Sequence, residues 1–429
     1  MEAITPNPRA SFLAPISVRR YLFFTTILGV FSGALNIYVG STIYLFYIVM
    51  LSNILLIWAF LPPLIFPKWL GWFLFYLLAS GAIGLYRGTD TIFQVAKLVG
   101  AISLSALYFA NFFYLERNSV DNAWAGYAKI AYWLTLVALV IWPVQCVIKH
   151  EVVRLHGVAS EPSEYCVITL PAYYWYAHQW LSRRKHRKEV LLITLGVALS
   201  GSSTGYIAVA FGLLLLFGKR VTGLMIATVL ACGLGVGLYA ISSDVRLRVN
   251  DTLGALASND VSGTNLSTFA LLSNMFVTER VLEVHPILGN GLGSHSLSSK
   301  RFIQDLPGVD VIEGTGWDSA ANVEDASSLT LRVLSELGLM GFVGVLWFIV
   351  HFRVTGSGDR AAICGAILTV FLQKLLRGGG YSNLEQFFFI MVYMLNYRQF
   401  KQEAGKATAL HLARDILPQH PPSRIGDAC

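Results

Sequence analysis

Long apolar runs separated by short polar breaks dominate the chain. Residues 41–60 (STIYLFYIVMLSNILLIWAF) and 223–241 (GLMIATVLACGLGVGLYAI) are each long enough to cross ~30 Å of hydrocarbon as helix. A membrane barrel would instead show alternating segments of ~10 residues, which this pattern lacks. The runs predict helices near 21–38, 41–61, 69–86, 93–114, 127–147 and 165–181, and again near 221–241, 328–351, 361–376 and 384–397. Between them lies an apolar block, 189–217, interrupted by SGSSTG at 200–205. Reading that block as two short segments keeps the basic clusters on either side of it on one face. The expected fold is therefore all-α: a polytopic membrane helical bundle of about twelve segments with a large, partly helical external loop. Its parts are a cytoplasmic N-terminal segment (1–20), transmembrane helices 1–9 (21–241), the large external loop (242–326), helices 10–12 (327–397) and a cytoplasmic tail (398–429) expected to be partly disordered.

Composition agrees with the pattern. Of 429 residues only 13% are charged and 55% are hydrophobic, against about 25% charged in soluble domains. A net charge of +7 raises the question of nucleic acid, and its distribution answers it. Arg19 and Arg20, RRKHRK at 183–188, and Lys219 with Arg220 flank apolar runs, which is the positive-inside pattern of a multi-pass membrane protein. Residues 242–326 hold eleven acids against five Lys and Arg, in keeping with an outward position. The five cysteines are scattered without a CxxC spacing and read as small core hydrophobes. No internal repeat is evident, which weighs against a transporter built on inverted repeats.

Three polar stretches fall on the outward face. VVRLHGVASEPSEY (152–165) places Arg154 and Gly157 beside the membrane, as a polar turn or as a grip on a lipid-linked phosphate, which a guanidinium fork matches bidentately. SGSSTG offers close helix packing, or hydroxyls and amides at half-helix ends for an anionic head group. TERVLEVHPILGNGLGSHS (278–296) has glycines but no βαβ surroundings, so a dinucleotide loop is excluded. His285 and His295, ten residues apart, have no specific metal-ligand spacing. Lys97 and Lys374 are charges inside apolar helices, either functional or snorkelling to an interface.

These stretches carry a resemblance. RLHGVASEPSEY, the small-residue hinge, and HPILGNGLGS followed by SSLTLRVLSELGLMGFVG resemble the bacterial O-antigen and exopolysaccharide polymerase and O-antigen ligase superfamily, over roughly residues 140–350. The most specific part is Glu336, Leu337, Gly338, Leu339 and Gly341, matching the family's ELGL.G. Ligases of this superfamily carry a histidine nine residues before that glutamate. Here the position is Ser327, which favours a polymerase over a ligase.

The resemblance implies an enzyme without cofactor or metal, joining oligosaccharide repeat units carried on undecaprenyl pyrophosphate. Membrane lipid, a flippase and a chain-length regulator are its implied partners, and nucleic acid is not among them. Fixed cations should meet the departing pyrophosphate, with Arg154 and Arg280 foremost, then Arg332 and Arg377. A carboxylate should take the acceptor hydroxyl's proton, from Glu324, Asp325 or Glu161. The rival readings are a ligase attaching polymer to a lipid A core, and a permease or export scaffold.

Overall fold

The computed structural model describes residues 16–32, 36–38, 42–60, 64–115, 119–217 except 158 and 160, scattered positions between 225 and 240, and 243–416 except 259, 263, 310–322, 357, 379 and 382. It is helical throughout save for one hairpin. In order come α1 (Ile16–Gly29), β1 (Asn36–Tyr38), β2 (Thr42–Tyr44), α2 (Leu45–Phe60), α3 (Lys68–Tyr86), α4 (Ile92–Leu115), α5 (Ser119–Lys149) and α6 (Pro162–Arg183). Then follow α7 (Arg187–Ser200), α8 (Ser203–Phe217), α9 (Ser243–Ser258), α10 (Leu266–Val284), α11 (His295–Phe302), α12 (Leu329–His351), α13 (Asp359–Leu376) and α14 (Leu384–Ile416).

Two expectations are corrected. The first helix stops at Gly29, and residues 36–38, expected to belong to it, instead pair with residues 42–44, Ile37 opposite Ile43 and Tyr38 opposite Thr42. Three of these four are β-branched, which suits a pleated strand better than a helix end. The last helix, expected to end near 397, runs on to Ile416, because residues 398–416 are rich in Gln, Lys, Ala and Leu, and the next proline is Pro418. The expected helix 221–241 lies largely outside the described residues.

The block 189–217 breaks where its small residues sit, with Gly201 at φ 57° ending α7. The carbonyls at that end are capped from the α5–α6 loop. Leu155 N donates to Leu199 O at 3.0 Å, Arg154 Nε to Ser200 O at 3.1 Å, and Arg154 Nη2 to Gly201 O at 2.8 Å. A helix C-terminus presents unpaired carbonyls and a partial negative charge, so a guanidinium there satisfies both needs.

Among the described residues, Lys68–Tyr86, Ile92–Leu115, Val120–Lys149 and Leu329–His351 are long and apolar enough to cross a membrane. Large apolar side chains on their outer faces are bare: Trp72 is 76% exposed, Val140 73% and Val350 71%. A water-facing monomer does not carry apolar surface on this scale, and this is the exterior of a helical membrane protein. The interior is aromatic where α1, α4, α5 and α14 meet. Phe31 stacks on Tyr127 at 5.3 Å, and Tyr127 meets Phe388 and Phe389 edge-on or tilted.

Polar contacts between elements fall into two sets. At one end Arg183 pairs with Asp359, and Arg360 bridges Asp121 and Glu403. At the other, Arg154 reaches the α7–α8 break, the α3–α4 turn meets residues 289 and 290, and Gly378 N donates to Ser327 O at 2.8 Å. The candidate site lies at this second end.

Candidate functional site

Gly338 breaks α12 with φ 66° and ψ −165°. In an unbroken helix the amides of Leu339 and Met340 would bond the carbonyls of Ser335 and Glu336. Here Asn290 N takes Ser335 O at 2.8 Å and Gly291 N takes Glu336 O at 2.9 Å. The two released amides donate to Pro286 O at 2.9 Å and Ile287 O at 3.1 Å. These two carbonyls and two amides are thus all satisfied by the segment HPILGNG, and the two polar motifs of the sequence form one unit. The approach is backbone against backbone. A Cβ on Gly338 would lie 2.3 Å from Ile287 O, and one on Gly289 would lie 2.6 Å from Ser335 O.

The α3–α4 turn clamps this unit from the other side. Arg87 Nη1 donates to Gly289 O, Thr89 Oγ1 to Asn290 O at 2.7 Å, and Leu292 N to Ser80 Oγ at 3.1 Å. Gly84 and Gly291 permit that approach, since a Cβ on Gly291 would lie 2.4 Å from Gly84 N.

The fixed backbone holds a buried polar seam centred on Arg332. Its Nε donates to Glu336 Oε1 at 3.1 Å, and its guanidinium lies over the Tyr381 ring at 4.2 Å. Glu336 Oε2 accepts from Gly293 N at 2.9 Å, so both carboxylate oxygens are engaged. One end of the seam is basic: Asp325 feels Arg332, Arg377 and Lys374 together. Burial still pushes the Asp325 carboxyl up, against those three cations and the Ser327 amide that donates to it at 3.0 Å. The other end is acidic. Asp90 is pushed up to about 6, by burial first and by Glu336 in the same direction, against the Thr91 amide and Arg332.

Beneath the seam lies His295, fully buried. Nε2 is 2.8 Å from Asn274 Oδ1 and Nδ1 is 2.8 Å from Ser335 Oγ. Asn274 directs its amide at Ala270 O and Ser327 Oγ, so its oxygen faces the ring and Nε2 bears the proton. Burial, helped by Arg332, pushes His295 down to about 3, so the ring is neutral and serves as structure.

Of the residues expected from sequence, Arg332, Asp325 and Arg377 come together here. Arg377 also donates to Ser267 O at 3.3 Å, and Lys374 pairs with Glu385 at 2.7 Å. The others lie elsewhere. Arg280 is exposed on α10, paired with Glu283 and resting on Phe276, because its helix turns that face outward. Glu324 is exposed. Glu161 is the N-cap residue of α6, where it accepts from Ser163 Oγ. Arg154 is committed to the α7 carbonyls.

Sequence reasoning gave Glu336 no role of its own and did not single out Asp90. The first had a signal, an Arg and a Glu four apart in an apolar helix. Asp90 had none, standing in a short turn. Among the described residues no three His, Cys, Asp or Glu side chains converge to hold a metal ion.

No protein-family model matches the chain, and no curated protein matches it.

Proposed function

We propose that the protein polymerises polysaccharide repeat units linked to undecaprenyl pyrophosphate, by glycosyl transfer at the periplasmic face of a bacterial inner membrane that it crosses about twelve times. The observation that carries this reading is a charged cluster at one end of a helical membrane bundle, where Arg332 pairs with Glu336, Lys374 pairs with Glu385, and Arg377 and Asp325 lie within electrostatic reach of them. Three cations where apolar helices meet a polar loop suit a lipid-borne diphosphate better than a neutral solute. Glu336 and Glu385 pair Arg332 and Lys374, and Asp325 adds a third acid beside them, so an arriving diphosphate competes with these acids for the cations. The likeness of SSLTLRVLSELGLMGFVG to polysaccharide polymerases points the same way.

The chemistry asked of the site is a displacement at the anomeric carbon. A hydroxyl of one lipid-linked unit attacks, the bond from that carbon to the pyrophosphate of the other carrier breaks, and the electron pair leaves on phosphate. Arg332 and Arg377 meet that charge as it grows.

Arg377→Ala in cells making the polymer tests the reading. Loss of long chains with accumulation of single repeats is expected, and an unchanged ladder on gels overturns it. Intact lipid-linked polymer that fails to reach its final acceptor would make the protein a ligase. A reporter fused near residue 310 should be active only in the periplasm.

A further inference from the structure

We propose that Asp90, on the turn between α3 and α4, is the general base that takes the proton of the attacking sugar hydroxyl. This rests on the glycosyl-transfer reading above.

The placement of Asp90 is built rather than incidental. Arg87 and Thr89 of the same turn are bonded to residues 289 and 290, and Gly84 packs on Gly291. Asp90 Oδ1 accepts from Thr91 N at 2.6 Å. Its other oxygen, Oδ2, is buried and has no hydrogen-bond partner. Buried carboxylate oxygens are costly to leave unsatisfied, and an acceptor with no donor is where an incoming hydroxyl fits. A Cβ at Gly293 would lie 2.4 Å from Oδ2, so the carboxyl occupies that position only because residue 293 is glycine.

The other acids of the seam suit the task less well. Glu336 has both oxygens engaged, by Arg332 and by Gly293 N. Asp325 is likewise pushed up by burial, but it stands within reach of three cations and already accepts from Ser327 N, which fits it to the phosphate end. Asp90 faces Glu336 and Arg332 from α12 and the amide of its neighbour Thr91 in the same turn, and its proton affinity is raised into the range useful near neutral pH. The seam then has two chemical ends, cations for the leaving pyrophosphate and a free carboxyl oxygen for the attacking hydroxyl.

The step balances without a further reactant. The hydroxyl proton passes to Asp90 Oδ2 as the hydroxyl oxygen bonds to the anomeric carbon. The bond to pyrophosphate breaks, and its electron pair leaves on the phosphate oxygen. The products are a longer chain on one carrier and undecaprenyl pyrophosphate.

The test uses membranes holding the full chain, supplied with lipid-linked repeat units extracted from cells carrying Arg377→Ala. Asp90→Asn should lower the polymerisation rate by about 100-fold or more with little change in KM. In the parent the rate should fall as pH drops through about 6, and the residual rate of the variant should lack that acid limb. A native rate in Asp90→Asn, a loss confined to KM, or an acid limb that vanishes in Asp325→Asn instead would each overturn the assignment. If Asp90→Asn does not fold, Asp90→Ala with added formate decides: restored rate supports the base, and no restoration overturns it. Failure of the parent membranes to extend the extracted units would overturn the polymerase reading itself, whereas a parent and an Asp90→Asn variant that both extend them would overturn the role of Asp90 alone.

Discussion

Arg332 and Glu336 stand one turn apart on α12 and pair at 3.1 Å with side-chain exposures of 5% and 0%. Two charges so far from water are costly, and the pair holds because Gly293 N and the Tyr381 ring complete the surroundings. Removing one partner strands the other. Arg332→Met and Glu336→Gln should each destabilise the fold by about 3–5 kcal/mol, read as a lower unfolding temperature in detergent. The double variant Arg332→Met/Glu336→Leu should recover much of that stability and none of the polymerisation. Single variants that melt like the parent would show that the pair is not isolated from solvent.

The glycine contacts predict a sharp contrast within α12. Gly338→Ala forces a Cβ into Ile287 O at a positive φ and should cost more than ~1–3 kcal/mol, the scale of backbone strain alone. Gly344, six residues on, has open space around it, so Gly344→Ala should be neutral or stabilise by about 0.5–1 kcal/mol. Thermal unfolding of the two variants side by side measures this, and equal effects would remove the argument for the docked kink.

What was legible in the sequence follows from what produces it. Apolar runs mark helices directly, and the break at Gly201 announced itself through small residues. The hairpin at 36–44 did not, since Ile and Tyr serve a strand as readily as a buried helix. Within the site, Arg332, Arg377 and Asp325 were found because charge beside an apolar helix needs a reason. Arg280 carried the same chemistry and proved exposed, because no period in residues 278–296 tells which face of α10 meets α12. Asp90 joins the seam through contacts some two hundred residues distant in sequence, such as Thr89 with Asn290, and no local pattern records them.

Arg154 and Arg377 should separate structure from chemistry. Arg154→Met leaves Ser200 O and Gly201 O uncapped and should cost about 1–3 kcal/mol of stability. Lysine there should rescue only in part, since one ammonium cannot reproduce the fork across both carbonyls. Arg377→Ala should instead abolish long-chain polymer with a smaller change in unfolding temperature. Polymer loss from Arg154→Met at undiminished stability would return Arg154 to the list of phosphate ligands.

The buried imidazole sets a pH dependence of definite sign. His295 is held down to about 3 in the folded protein, while in the unfolded chain it titrates near its ordinary value of about 6.5. Below that value the unfolded state binds the proton and the folded state does not. The stability His295 confers is therefore complete above about pH 6.5 and is lost progressively as pH falls toward 3. Asp90 acts oppositely: its folded value of about 6 lies above the ordinary carboxylate range, so its contribution is present in acid and lost as pH rises through 6. Between about pH 7.5 and about pH 5 the two partly cancel. His295→Gln should consequently flatten the acid loss of unfolding temperature, and Asp90→Asn should steepen it. Parallel melts of parent and variants at the two pH values decide the matter, and an acid slope unchanged in His295→Gln would mean that the imidazole is reached by water.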